Sequence, residues 1–395
     1  PEYENFGPSR GIGTYTKLMA QNFSSLGSRV VVVVIVSNKK FVRIKEFNEG
    51  NLTLYPIYIP PLKFFQPFIT PLILGCFLNK IVRKFKIQII EAPEYGFLTV
   101  FYSFIKKVPI VVRLHTPLSY LLANFRPDLK GVKKILAKIY IKILYFFEKL
   151  NIKLADWITV PSDSALQEFK RYFSLNKLKN FSIIPNGITF PSNEDLDLNQ
   201  KFQNKYSQIL TKNKKILLYI GGISYRKGID IILKSLHYLN KIFKEWCFIL
   251  IGQNELKEDI LSFVDKIGVG EIKDKIFYIG QIYGEEKNFF YKKADLFLFL
   301  SRFENFSMSL LEASSFGCPS LAFDTGAARE ILKYDERCIL SLDDQKNYSK
   351  IGKRIYELLF TDFDRKAIKD MVKKFDIKKI IAETEKIYSI VIKKK

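Results

Sequence analysis

The chain of 395 residues carries a formal charge of +23, and 48% of it is hydrophobic, so it is long enough for two domains and too apolar for a disordered polyelectrolyte. Four cysteines without CxxC spacing and only two histidines exclude a disulfide framework or an imidazole zinc site and make a reducing cytoplasm the expected setting. The charge is uneven: residues 1–190 hold 27 basic against 11 acidic side chains and residues 191–395 hold 36 against 29, which suggests either an anionic partner for the first half or simply a Lys-, Ile-, Asn- and Phe-rich composition.

Residues 1–7 read as neither a signal peptide nor a strand. Val30–Val36 is an unbroken β-branched run, as in a strand covered on both faces of a parallel sheet. Ile87–Ile90, Ile110–Leu114, Trp157–Val160 and Ser182–Ile184 repeat that signal more briefly. The apolar stretch 61–80 is broken by Lys63, Gln66 and three prolines, so it reads as a loop leading into a short helix, and no membrane span is expected. From Lys130 to Leu150 a helix is expected. Val132, Ile135, Leu136, Ile139, Ile143, Phe146 and Phe147 recur at helical spacing, and Lys130, Lys133, Lys134, Lys138, Lys142 and Lys149 fall largely elsewhere. The stripe is assigned to the domain core with its lysines toward solvent; the alternative lays the helix on an anionic membrane surface.

Residues 190–213 are polar and mixed and are expected to form a linker with one helix. Asp195 and Asp197 there have the spacing of a metal-binding DxD, but they lie away from any strand end and are assigned no metal. A second series of strands follows at Ile216–Ile220, Phe248–Ile251, Ile276–Ile279, Asp295–Leu300 and Ser320–Phe323. The expected organisation is an α/β domain over 1–190, a linker over 191–213, a second α/β domain over 214–374, and a closing amphipathic helix over 375–395 that packs back on the first domain. Alternating strands and helices of this kind specify doubly wound sheets, here two Rossmann-like domains facing across a cleft, with sites at the carboxyl ends of the strands.

Three such ends carry chemistry. After 295-DLFLFL comes 304-ENFSMSLLE-312, a turn into a short helix expected to start near Ser309. A helix N-terminus there offers unpaired N–H groups to a phosphate, and Glu304 and Glu312 can accept hydrogen bonds from hydroxyls on either side of it. Phosphate between two hydroxylated rings describes a nucleotide-diphosphate sugar. The plainer alternative makes Ser309 and Glu312 a capping box that serves only its own helix. After Ile216–Ile220 come Gly221-Gly222 and then Arg226-Lys227, where small residues permit close approach and paired cations can neutralise a diphosphate. After Ile110–Leu114 comes His115, placed where the cleft is expected; His237 falls within a helix and is read as structural.

These stretches resemble the retaining glycosyltransferases of family 4 (glycosyl transferases group 1), which have the GT-B architecture. The matching segments are 8-PSRGIGTYTKLMA, 91-EAPEYG, 113-RLHTPLS, 155-ADWITVPSDSALQEF, 184-IPNGI, 220-IGGISYRKGID and 295-DLFLFLSRFENFSMSLLEASSFGCPSLAFDTGAAREI, in the family's order. The resemblance implies that Glu312 holds the ribose and that Glu304 contacts the donor sugar. It implies that the backbone at Asn305, Phe306, Ser307 and Met308 cups the diphosphate beside Gly222, and that Arg226 and Lys227 neutralise the leaving group. Gly11 would approach from the opposite side, and His115 would hydrogen-bond the transferred sugar. The chain departs from the family pattern at Arg10, at Ser307-Met308, and in lacking an opening strand before Gly7.

The implied activity is transfer of a hexosyl unit, with retention, from a nucleotide-diphosphate sugar to a glycan or lipid-linked acceptor in cell-surface polysaccharide or glycolipid synthesis. No metal and no resident cofactor are implied. The basic first domain would hold the acceptor and could touch an anionic membrane surface from the cytoplasmic side. No RNA-binding or zinc-finger motif accompanies the charge, so no nucleic acid is expected. A non-catalytic nucleotide-sugar-binding protein and a GT-B enzyme of different chemistry, such as a sugar-phosphate synthase or an epimerase, remain open alternatives.

Overall fold

The computed structural model describes residues 11–36, 47–61, 65–125, 130–175, 178, 180–191, 200–210 and 214–394. Arg10, the Asp195–Asp197 pair and any strand before Gly7 lie outside the described residues. The chain divides into two compact units, one formed by residues 1–187 with 377–395 and the other by residues 188–376.

The first unit runs α1 (Gly11–Ser25), β1 (Val30–Val36), β2 (Phe47–Glu49), β3 (Leu52–Tyr58), α2 (Gln66–Phe85), β4 (Ile90–Pro93), β5 (Ile110–Arg113), α3 (Leu118–Asn124), α4 (Val132–Leu154), β6 (Trp157–Val160), α5 (Asp163–Tyr172) and β7 (Phe181–Ile183). Its strands form two sheets, ordered β1-β3-β2 and β4-β5-β6-β7. β1 pairs with β3 in parallel, β2 turns back antiparallel, and the second sheet is parallel throughout. A cavity of about 520 Å³ is lined by residues of β1 (Val31, Val33 and Ile35) and of β4 (Glu91, Ala92 and Pro93). The stretch around residue 70 is a full helix, α2, with Pro71 inside it, rather than a loop and a short helix.

The stripe on α4 is not core. Val132, Ile135, Leu136, Ile139, Ile143 and Phe146 are 41–70% exposed. The helix instead buries Leu144, Glu148, Asn151 and Ile152, and Phe147 stacks on Phe97 with ring centroids 5.1 Å apart. Glu148 can be buried because the backbone N–H of Leu118 and the hydroxyl of Ser119 donate to it at 2.7 and 2.5 Å.

The second unit runs α6 (Gln200–Lys205), β8 (Lys215–Ile220), α7 (Ile229–Ile242), β9 (Trp246–Ile251), α8 (Ile260–Lys266), β10 (Ile276–Gly280), α9 (Gly284–Lys293), β11 (Leu296–Phe299), α10 (Met308–Ser315), β12 (Ser320–Phe323), α11 (Ala328–Ile331), β13 (Ile339–Leu340), α12 (Tyr348–Leu359) and α13 (Arg365–Met371). Its six strands make one parallel sheet ordered β10-β9-β8-β11-β12-β13. The winding direction reverses between β8 and β11, and ligands of open α/β sheets sit at that switch point. Part of the expected linker belongs here: Tyr206 is buried in this unit's core, and its hydroxyl donates to Glu286 at 2.7 Å. The chain then returns to the first unit as α14 (Ile377–Lys393), whose Ile377, Ile380 and Ile381 pack with Tyr15, Met19 and Ile184.

Candidate active site

The loops that follow β8 and β11 meet at the switch point, and three contacts tie them together. The Arg302 N–H donates to the Arg226 carbonyl at 3.0 Å, the Ser301 hydroxyl oxygen lies 3.3 Å from the same carbonyl, and the Arg302 guanidinium forks onto Asp230 at 2.8 and 2.7 Å. Gly228 makes this approach possible. Its φ is +72°, and a Cβ there would stand 1.8 Å from the Leu300 carbonyl oxygen.

This clamp brings Arg226, Lys227 and Glu304 together. Lys227 Nζ pairs with Glu304 Oε1, Arg226 Nη1 lies 3.5 Å from the same oxygen, and the Ser301 hydroxyl donates to it at 3.0 Å. Oε2 has no partner among the described residues. Lys227 also lies over the Phe299 ring, 5.3 Å from its centroid. Burial pulls the Lys227 ammonium below its ordinary pKa, with Glu304 opposing and Arg226 adding to the shift. On the same loop the Tyr219 hydroxyl donates to the Gly222 carbonyl at 2.7 Å. A Cβ at residue 222 would stand 3.0 Å from Glu255 Oε1, so Gly222 leaves a carboxylate close against the turn.

The helix after Glu304 starts at Met308, not Ser309. Ser307 is its N-cap and accepts from the Leu310 N–H at 3.2 Å. The amides of Met308 and Ser309 find no partner among the described residues, which leaves them available to an anion. Asn305 and Phe306 are buried, Phe306 against Phe375. Gly326 holds this turn from behind: its φ is +54°, and a Cβ would stand 2.5 Å from the Glu304 carbonyl oxygen.

Glu312 falls in the second turn of α10, and it does not close a capping box. Lys287 Nζ and the Tyr291 hydroxyl each donate to one of its oxygens at 2.9 Å. An ionised carboxylate offers about four acceptor positions, so capacity remains for the hydroxyls of a ligand.

The other two expected site residues belong to the first unit. Gly11 is exposed at the start of α1, with nothing near its missing Cβ. His115 follows β5; its backbone N–H donates to Glu94 Oε2 at 2.7 Å, and its ring meets Tyr15 edge-on at 5.1 Å. Burial, aided by Arg113, pulls the imidazole pKa down to about 3, so it is neutral near pH 7. Burial pushes Glu94 up to about 8 against the pull of the His115 N–H, and Glu148 up to about 7. Around His115 stands a polar cluster that the motifs did not single out. Tyr15 and Tyr388 both donate to Glu91, at 3.1 and 2.6 Å, and Arg113 donates to Asn186 at 2.6 Å. Tyr15, Glu91, Arg113, His115 and Tyr388 also line the 520 Å³ cavity.

Ser301, Gly228 and Gly326 fall inside the matching segments but have no role of their own in the motif reading, which misses Lys287 and Tyr291. The two glycines carried a signal, since each follows a polar turn at a strand end. Lys287 and Tyr291 carried none, because a helix elsewhere in the sequence supplies them.

A parallel sheet with carboxylates, paired cations and a capped helix start at its switch point defines an α/β unit suited to a phosphorylated, hydroxylated ligand. Residues 9–190 match the model of Glycosyltransferase Family 4 and residues 200–375 that of Glycosyl transferases group 1, so the chain belongs to that family of GT-B glycosyltransferases. An uncharacterized glycosyltransferase of Methanocaldococcus jannaschii is 24% identical over 63% of this chain and 64% of its own length. The Campylobacter jejuni N-acetylgalactosamine-N,N'-diacetylbacillosaminyl-diphospho-undecaprenol 4-alpha-N-acetylgalactosaminyltransferase is 26% identical over 58% of this chain and 57% of its own. The chain thus spans less than two thirds of these relatives.

Among solved structures, sucrose-phosphate synthase of Thermosynechococcus elongatus shares the fold at a TM-score of 0.77 and 16% identity, covering 98% of this chain and 95% of that one. The Anabaena protein HepE in complex with UDP-glucose does so at 0.68 and 16%, covering 96% and 97%. Among the described residues no helix is long and apolar enough to cross a membrane, and no three His, Cys, Asp or Glu side chains group as metal ligands.

Proposed function

We propose that the protein is a retaining hexosyltransferase that takes a sugar from a nucleotide diphosphate and adds it to a glycan or lipid-linked acceptor in cell-surface polysaccharide or glycolipid synthesis. The observation that carries this reading is the meeting of Lys227, Arg226 and Glu304 at the switch point beside the free amides of Met308 and Ser309. In the proposal Glu312 accepts from the ribose hydroxyls and the amides of α10 hold the diphosphate. The free oxygen of Glu304 accepts from the donor sugar. Lys227 and Arg226 shift part of their charge from Glu304 to the diphosphate as the glycosidic bond breaks, which places fixed positive charge where negative charge develops. This scheme assigns the leaving group's charge to two side chains and requires no divalent ion. His115, neutral, with its ring against Tyr15 and its backbone N–H held by Glu94, is a hydrogen-bond partner for a hydroxyl of the transferred sugar rather than a cation.

The C. jejuni relative, named for an undecaprenol-linked acceptor, supports a lipid-linked acceptor here. The uneven positive charge supports an anionic membrane face as the place of action. A sugar-phosphate synthase is the second reading, favoured by the 0.77 TM-score to sucrose-phosphate synthase.

Calorimetric titration with UDP, GDP and ADP and their hexosyl derivatives tests the donor site. Binding of one series, weakened about 10- to 100-fold in Glu312→Ala through loss of charge-assisted hydrogen bonds, is the expected result. Failure of every nucleotide to bind the wild type overturns the reading. Release of free nucleotide with a sugar phosphate as acceptor, and not with a lipid-linked glycan, selects the synthase.

A further inference from the structure

The exposed face of α4 has a composition that water does not favour. At about 100° of rotation per residue, Val132, Ile135, Leu136, Ile139, Ile143 and Phe146 fall within one arc about 100° wide. All six are exposed, Val132 at 70% and Ile143, the least, at 41%. Lys138, Lys142 and Lys149 line one border of that arc, and Lys133 and Lys134 stand exposed in the first turn. The helix has a single acid, Glu148, and it is buried on the opposite side with its oxygens filled by Leu118 and Ser119. The outward face is therefore apolar and positive, with no negative charge of its own. A soluble surface disperses its apolar side chains, whereas an unbroken strip of this kind marks a contact.

Neighbouring elements extend the strip. Phe65, 69% exposed, lies one turn before Phe68, and the Phe68 ring meets Tyr140 and Phe147 of α4 at 6.0 Å. Phe104 and Ile105 are 66% and 53% exposed, next to Lys106, whose Nζ reaches the Leu154 carbonyl at the far end of α4.

We infer that α4 is a docking surface for an anionic lipid bilayer. The six apolar side chains would enter the acyl boundary while the lysines stay at the level of the phosphates, as long cationic side chains do on amphipathic helices that lie in the interface. A second copy of the chain is a poorer occupant, because pairing this face with itself sets lysine against lysine with no acid to intervene. A lipid-linked acceptor, which belongs to the proposed function, would give the surface its use. The binding itself requires neither donor nor acceptor, so the two readings fail separately.

Flotation of the full chain with phosphatidylcholine vesicles, with and without phosphatidylglycerol, is the direct test. Association only with the anionic vesicles is expected. Ile139→Gln with Phe146→Gln should reduce it by about tenfold or more, and Lys133→Gln, Lys138→Gln and Lys142→Gln together by a similar factor. All five positions are exposed, so thermal melts and nucleotide titration should match the wild type in both variants. Wild-type protein left in solution, or variants that float equally well, overturns the inference. So does a concentration-dependent dimer in sedimentation velocity that the Ile139 and Phe146 changes dissociate without affecting vesicle binding.

Discussion

In the role proposed for it, Lys227 is held by an ion pair in the free protein and would still favour a transition state. Burial leaves its charge poorly solvated and lowers its pKa, which Glu304, and to a lesser degree Glu255, oppose. In the proposed function a diphosphate beside it would supply a second anion, and the benefit would grow as the leaving group gains charge. Lys227→Met, which keeps the stem over Phe299, should therefore lower kcat by about 100-fold or more and change the donor KM less. Steady-state kinetics with the cognate donor decides it, and a loss confined to KM would assign Lys227 to ground-state binding. Glu304→Gln is a better probe of its carboxylate than Glu304→Ala. Both changes remove the counter-charge of Lys227 and Arg226, but glutamine keeps a carbonyl acceptor for Ser301 and Lys227 whereas alanine removes that as well.

Glu94 gives a stability prediction with a definite sign. Its folded pKa near 8 lies above the ordinary glutamate value, so the fold retains a proton that the unfolded chain has lost. That contribution is fully present below the ordinary value and disappears as pH rises through about 8; Glu148, at about 7, behaves alike. His115 acts in the other direction: lowered to about 3, it costs stability as pH falls from its ordinary value toward 3. Glu94→Gln should remove part of the alkaline loss, on the order of a few kcal/mol, and change little at pH 5. Thermal melts at pH 5 and pH 9 measure it; equal pH dependence in both proteins would contradict it.

At the scale of elements, sequence pattern was informative where one physical demand dominated. The strand runs Leu217–Ile220 and Leu296–Leu300 are covered on both faces, so they show continuous apolar residues and nothing else fits them. Their carboxyl ends therefore also located Arg226, Lys227 and Glu304. The ion pair joining them was not legible, because 77 residues separate Lys227 from Glu304 and only the sheet order makes them neighbours. Helix α4 failed for a different reason. It has two faces able to pack, and the one that is buried includes Glu148 and Asn151, which periodicity counts as polar. A hydrophobic stripe reports what water disfavours, not what the protein itself covers. The start of α10 was misplaced because Ser307 and Ser309 are equally good caps by composition, and only the bond from Leu310 distinguishes them.

The split sheet of the first unit gives an element-scale prediction. Val30 N–H bonds to the Asn51 carbonyl and Ile59 N–H to the Val36 carbonyl, so Val30, Val32, Val34 and Val36 direct their backbone groups to β3. Val31, Val33 and Ile35 direct theirs to the other edge, which meets the cavity and has no partner strand among the described residues. Their amides should exchange at least about tenfold faster than those of Val32 and Val34, since protection follows hydrogen bonding rather than burial alone. Residue-resolved hydrogen exchange reads this directly, and equal protection along β1 would show that a further strand closes that edge.

For the whole molecule, the two units differ in how continuous their cores are. Among the described residues the second unit has one apolar cluster that runs from Ile188 to Phe375 across a six-stranded sheet, whereas the first divides its core among four smaller clusters around two sheets and a cavity. Apolar burial is the main favourable term in folding, and a divided core with a void forfeits part of it. The first unit should therefore melt first, giving two calorimetric transitions rather than one. The proposed donor site belongs to the second unit through Glu304, Glu312, Arg226 and Lys227. A nucleotide at 100 times its Kd stabilises the state it binds by about 2.7 kcal/mol, which for a unit of this size raises its midpoint by roughly 5–10 °C. The cognate nucleotide should thus move the upper transition by that amount and leave the lower one nearly in place. If it raised only the lower transition, the nucleotide would bind the first unit, and the roles given to Glu304 and Glu312 would have to be withdrawn.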